Sequence, residues 1–284
     1  MSNIHILAIS PTDDGSFSGG SWNATYPLTN LVDQQPKTVA RSSNALAAST
    51  LFVVDCGSSQ SFKMFAFVNN NFSSASTVRI RVSPNSNGSS PTLDTTVDGN
   101  DPDVVWGSLP WGAFPWDGQL DELHPGGPTM FYLHTATVAG RYVLIDVTDT
   151  GNADGYVELG RFMAGVPFVP ELSPLFGGQF GLVDESRVSR AAGGSLYADV
   201  RLKRRRVSVS FPALTESEAL STIYNMQDVK GISHGIVVVW DPEDDIGVLQ
   251  RRTFYGTLTS LAPLVLQNQS PSPYSWQAEI EELV

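Results

Sequence analysis

From Thr77 to Ser83 the side chains alternate residue by residue: Val78, Ile80 and Val82 fall on one side, Arg79 and Arg81 on the other. A period of two belongs to a strand with one face in a core and the other toward water. The remaining apolar runs of the first half are short and stop at turn residues: 4–9, 51–55 (ended by Gly57), 62–68, 131–133, 142–147 and 156–162. No helical period appears before about residue 212. Many short strands punctuated by Gly, Pro and Asn predict an antiparallel sandwich rather than an α/β fold.

A chain of 284 residues is long for one core, so two domains are expected. Pro167, Pro170 and Pro174 mark a linker. The expected division is 1–165, linker 166–174, and 175–284. In the second part the strand-like stretch 196–211 changes parity: Ala198, Val200 and Leu202 against Val207, Val209 and Phe211. A bulge near Arg204–Arg206 would reconcile them. Thr215 and Glu218 form a capping-box pattern ahead of Leu220, Ile223, Tyr224 and Met226, with Gly231 as the stop. A buried strand at 236–240, an acidic turn at 241–245, a return strand at 251–258 and a last strand at 276–283 complete the order.

The net charge of −12 excludes a general nucleic-acid or anionic-membrane binder. No window reaches the ~20 apolar residues of a membrane helix, and residues 1–9 lack the basic start of a secretory signal. The expectation is a soluble protein made in a cytoplasm that leaves by lysis or inside a particle. Cys56 is the only cysteine, which removes intrachain disulfides and cysteine-based metal sites.

Two stretches carry a resemblance. Tyr26-Pro27-Leu28-Thr29-Asn30-Leu31-Val32-Asp33, Arg41-Ser42, Val53 to Gly57, Asn69 to Ser73, Arg79 to Ser83, and Arg141 to Asp149 with Tyr156 to Gly160 resemble the galactose-binding-like (discoidin-type) jelly-roll sandwich as it occurs in phage tail proteins. The element order of the second half is similar to the tail-tube and distal-tail fold, a β-sandwich with one helix. The resemblance implies a mostly-β, non-enzymatic component of a phage tail tip, a distal-tail or upper-baseplate ring linking the tube to hub or receptor-binding proteins. Its implied partners are copies of itself in a hexameric ring, the tail tube protein, and hub, tape-measure or receptor-binding proteins. DNA would pass only in transit, no membrane is involved, and no cofactor or metal is implied. The implied location is the virion tail tip, after assembly in the host cytoplasm. A second function class is a carbohydrate-binding adhesion module for host surface glycans. A third, a glycan-degrading enzyme, lacks a catalytic motif.

His5, His124, His134 and His234 stand in no metal-binding or triad spacing, and no G-x-S-x-G or phosphate-loop motif occurs. The acidic clusters Asp101/Asp103, Asp121/Glu122 and Glu243/Asp244/Asp245 lie in expected turns, where Asp is favoured by turn geometry alone. The loop Asp149 to Gly155 resembles a calcium loop in part, but its acids are out of step with that motif. Trp106, Trp111, Phe114 and Trp116 crowd one Gly/Pro-rich loop. They suit a protein interface, stacking on a sugar, or capping of the sandwich. Arg204, Arg205 and Arg206 sit on a strand in an acidic chain, and Asp241, Glu243, Asp244 and Asp245 in a turn of the same domain. These two sets are the candidates for a subunit boundary or channel wall, with in-chain pairing of the cations as the alternative.

Overall fold

The computed structural model describes residues 3–73, 75–99, 127–174, 178–191, 193–244, 246–267 and 274–284, with side chains at 246–248 excepted. The chain opens with β1 (His5–Leu7) and then builds a jelly-roll sandwich. Its strands are β2 (Ser16–Ser18), β3 (Ala40–Arg41), β4 (Phe52–Asn70), β5 (Thr77–Ser83), β6 (Leu93–Asp98), β7 (Thr129–Thr148) and β8 (Glu158–Gly165). The strand order is β3-β8-β4-β7-β5-β6, with β2 also on β4. The runs 51–55 and 62–68, which look separate in the sequence, are the two halves of β4, and 131–133 and 142–147 are halves of β7. Each long strand pairs along its length with more than one neighbour, β4 with β2, β7 and β8, and β7 with β4 and β5. Register shifts fall between Asp55 and Gln60 and between Phe62 and Met64. Gly57, at φ 74°, allows the turn-like backbone there. Phe52, Phe65, Phe67, Phe162, Val78, Ile80 and Ile145 fill the sandwich.

The second unit comprises β9 (Gln179–Val183), β10 (Arg187–Arg190), β11 (Leu196–Asp199), β12 (Arg204–Leu214), β13 (Ile236–Val239), β14 (Thr253–Leu258), β15 (Val265–Leu266) and β16 (Tyr274–Glu282). Its sheet runs β1-β13-β14-β16-β12-β9, antiparallel throughout, with β15 on β16. A helix over 217–230, π-helical at first and then α-helical, lays Ala219, Ile223 and Met226 on the sheet's inner face. Its capping box forms as expected: Glu218 accepts from the Thr215 N–H and hydroxyl at 2.8 Å each, and its own N–H donates back to Thr215 Oγ1 at 3.3 Å. Gly231, at φ 55°, ends it. Between β13 and β14 a short helix, Ile246–Arg252, replaces the simple turn expected there.

Three further sequence expectations change. Residues 4–9 fall within the expected first domain, 1–165, yet β1 pairs with Val237–Val239 of the second sheet. The reason is packing: Ile4, Ile6 and Ala8 enter the second core. The segment 166–174 is packed rather than a free linker. Phe168 is buried and exchanges backbone hydrogen bonds with Ile6 at 2.9 and 2.8 Å. The parity change in 196–211 needs no bulge at Arg204–Arg206, because β11 ends at Asp199 and β12 starts at Arg204. The irregularity of β12 falls between Phe211 and Leu214 instead.

The two units share a third core. β4 sends Phe65 and Phe67 into the sandwich but Met64, Ala66 and Val68 outward. These meet Met163 and, from the second sheet, Leu7, Val237, Val239 and Tyr255. Burial of each Leu, Val or Met side chain among them is worth ~1.5–3 kcal/mol, so the seam joins the units firmly.

Candidate functional site

On the jelly-roll surface, β3 is only two residues long, and its Arg41 lies opposite Glu158 of β8. Arg41 Nε donates to Glu158 Oε1 at 2.5 Å. The guanidinium is sandwiched between two phenol rings, 4.4 Å from the Tyr26 centroid and 4.3 Å from that of Tyr156. Both contacts are within the range where a cation gains from an aromatic face. The backbone fixes this arrangement: the Arg41 N–H donates to Tyr26 O at 3.0 Å, and Asn23 N–H donates to Arg41 O at 2.8 Å.

Next to the cluster, polar side chains hold the loops. Asn71 accepts from the Glu158 N–H at 2.7 Å and donates to Asp154 Oδ2 at 3.0 Å and Tyr156 O at 3.1 Å. Ser42 Oγ accepts from the Val157 N–H at 2.9 Å. The Asp149 carboxylate, which the sequence offered as part of a calcium-like loop, accepts from Ser73 N at 2.9 Å and Asn152 Nδ2 at 2.9 Å. Its neighbours are therefore neutral donors of the same loop system. Tyr26, Arg41, Tyr156 and Glu158 all remain partly exposed. The result is a surface of planar polar groups edged by aromatic rings, with its supporting residues hydrogen-bonded to the flanking loops.

The sequence candidates lie elsewhere. Trp106, Trp111, Phe114 and Trp116 fall outside the described residues, as do Asp101/Asp103, Asp121/Glu122, His124 and Asp245. The basic run is paired within the chain. Arg204 meets Glu281 at 3.0 Å as well as Glu185, and Arg206 meets Glu279 at 2.5 Å, all on the sheet's outer face. Arg205 points inward, paired with Glu282, and donates to the carbonyls of Gln250 and Thr253 at 2.7 and 2.9 Å. In the acidic turn Asp241 is buried and accepts from the Glu243 N–H at 3.1 Å, while Asp244 pairs with Arg252 at 3.0 Å. No ion pair joins the basic strand to this turn among the described residues. The histidines are held locally: His5 by Asn3 O, His134 by Tyr132, and His234 by Ser233 and Lys230 O.

The Arg41 cluster was missed as a site in the sequence. Its only signal was the Arg41-Ser42 pair behind the Asn30-Leu31-Val32-Asp33 segment, because Tyr26 and Tyr156 meet only in the folded chain.

No protein-family model matches the chain, and no curated protein matches it. Among solved structures it is similar to the family 32 carbohydrate-binding module of Clostridium perfringens NanJ in complex with galactose, at 14% identity over 56% of this chain and 98% of that one, TM-score 0.37. A Streptococcus pneumoniae fucose-binding module is 10% identical over 56% of this chain and 96% of its own, TM-score 0.38. Chitosan-binding module 1 of a Paenibacillus sp. IK-5 chitosanase/glucanase is 17% identical over 55% and 98%, TM-score 0.36.

Proposed function

We propose that the protein is a non-catalytic glycan-binding subunit whose jelly-roll recognises sugar through the Arg41 cluster. The observation that carries this reading is the guanidinium of Arg41, paired with Glu158 and edged by Tyr26 and Tyr156. A pyranose offers vicinal hydroxyls, which match planar charged groups, and apolar C–H faces, which match aromatic rings. The network next to the cluster supports preformed recognition without a large ordering cost.

The test is a glycan array with the full chain, followed by calorimetry on the best ligand. Arg41→Ala and Tyr156→Ala are expected to weaken binding at least tenfold while the melting curve keeps its shape. Arg41→Lys should not restore it, since an ammonium lacks the planar fork. An empty array, or undiminished binding by Arg41→Ala, defeats the proposal.

A second reading, the building block of a particle such as a phage tail tip, is favoured by one feature of the other unit. The hairpin β10–β11 leaves Val188, Leu196 and Tyr197 about 60% exposed. Such a surface suits a chain that assembles with others.

A further inference from the structure

The hairpin has an architecture that a lone subunit leaves unsatisfied. Among the described residues β10 and β11 form a sheet of two strands that pair only with each other, and all eight of their residues are exposed. They lie between β9 and β12 in the chain, and each spans four residues, about 13 Å at ~3.3 Å per residue. An isolated two-stranded hairpin is marginal in water unless something packs on it.

The hairpin is also two-faced. Val188 lies opposite Ala198 and Arg190 opposite Leu196, so these four share one face. Arg187, Ser189, Tyr197 and Asp199 share the other. Val200, 79% exposed, and Leu202 continue the apolar character at the base. The hairpin's cations differ from those of its neighbouring strands. Every arginine of the jelly-roll and of β12 has a carboxylate partner. Among the described residues Arg187 and Arg190 form no ion pair.

A complementary surface exists on the same chain. The outward side of the 217–230 helix exposes Leu220 and Tyr224, with Val229 and Ile232 at its end. Beside them Glu216 and Asp228 are exposed anions that form no ion pair among the described residues.

We infer that the hairpin is a docking arm whose apolar face seats on the outward face of the 217–230 helix of a second copy, with Arg190, which lies on that face, turned toward that copy's Glu216 and Asp228. Apolar contact holds the interface, and the exposed charges set register and speed encounter. Donor and acceptor are different patches, so the contact is head-to-tail and propagates into a ring or a filament. This goes beyond glycan recognition and uses none of its residues.

The test uses the full chain in sedimentation velocity. The parent is expected to form concentration-dependent species larger than one chain. Val188→Asp with Leu196→Asp, and separately Leu220→Asp with Tyr224→Asp, should each sediment as monomers. All four positions are exposed, and circular dichroism checks that both variants fold. Mixed in equal amounts, the two variants retain one intact helix face and one intact arm, so they should form a heterodimer and nothing larger. A monomeric parent, a double variant that assembles as the parent does, or a mixture that stays monomeric overturns the inference.

Discussion

Lys230, at the end of the 217–230 helix, donates to Asp13 Oδ2 at 2.6 Å, across the seam between the two units. The other oxygen of Asp13 takes Arg161 Nη2, also at 2.6 Å, and Arg161 is wholly buried. Arg161 donates further to the carbonyls of Val32 and Asp33 at 2.6 and 2.9 Å. One carboxylate therefore serves two buried cations from different units. Removing it leaves both uncompensated, which costs about 3–5 kcal/mol for a buried pair. Asp13→Ala should lower the unfolding free energy by that order in urea titrations. A loss under 1 kcal/mol would show that water or another group replaces Asp13.

The shared core predicts joint unfolding. Leu7, Val237 and Val239 lose their partners if the jelly-roll opens, and Met64 and Met163 lose theirs if the second sheet opens. Full-length protein should show one calorimetric transition for both units. A broad-specificity protease should cut within 184–191 or 193–203, which are mostly exposed, before it cuts 166–174, where Phe168 is anchored to Ile6. Early cleavage at 166–174 would mean that the seam is weaker than its packing indicates.

Alternation made β5 legible: Val78, Ile80 and Val82 enter the core, while Arg79 and Arg81 pair with Asp94 and Asp146 at 2.8 Å each. Helix caps were legible for the same reason, since Thr215, Glu218 and Gly231 act locally. The seam was not. Residues 62–68 and 236–240 are apolar on both faces, and periodicity cannot tell a strand covered by one domain from one covered by two. Nor does a three-residue strand such as β1 carry any local trace of a partner more than 200 residues away. The cations of β12 were conspicuous, but their partners Glu279, Glu281 and Glu282 are evident only once β12 is paired with β16.

Gly235 sits where a side chain has no room. A Cβ there would lie 1.9 Å from Tyr255 Cζ, and the Gly235 N–H donates to Gln34 Oε1 at 2.8 Å, which also accepts from Tyr255 Oη at 3.0 Å. Gly235→Ala must push the buried Tyr255 ring out of the seam, at a cost of about 1–3 kcal/mol. Tyr255→Phe in the same background should recover little, because the clash is with the ring. Unchanged stability of Gly235→Ala would contradict this packing.

Cys56 is partly buried beside Asp55, and burial, followed by that neighbouring negative charge, pushes its thiol up to about 11. Only the thiolate attacks an alkylating reagent. Folded protein should therefore react slowly with iodoacetamide near neutrality and accelerate as the pH approaches 11. Unfolded protein should follow the ordinary thiol curve, near 9.0. Equal rates for the two states would rule out the shift.

Asp55 itself is held in the opposite direction. Arg141 donates to both of its oxygens, at 2.7 and 2.8 Å, and the Gly57 N–H adds a third bond at 2.8 Å. The hydrogen bonds from Arg141 first, and then that from Gly57, bring its carboxyl down to about 2 from an ordinary 3.8. Between those values the unfolded chain binds the proton and the folded chain does not, so stability falls as the pH drops through this window. Above about pH 5 the contribution is fully present in both wild type and any variant that keeps the pair. Arg141→Gln removes the chief cause while leaving Gly57, so the Asp55 midpoint should move back toward 3.8 in a carboxyl NMR titration. The acid side of the stability curve should then flatten between pH values near 4 and 2, as it should in Asp55→Asn. A midpoint that stays near 2 without Arg141 would assign the shift to the bend of β4 at Gly57 instead.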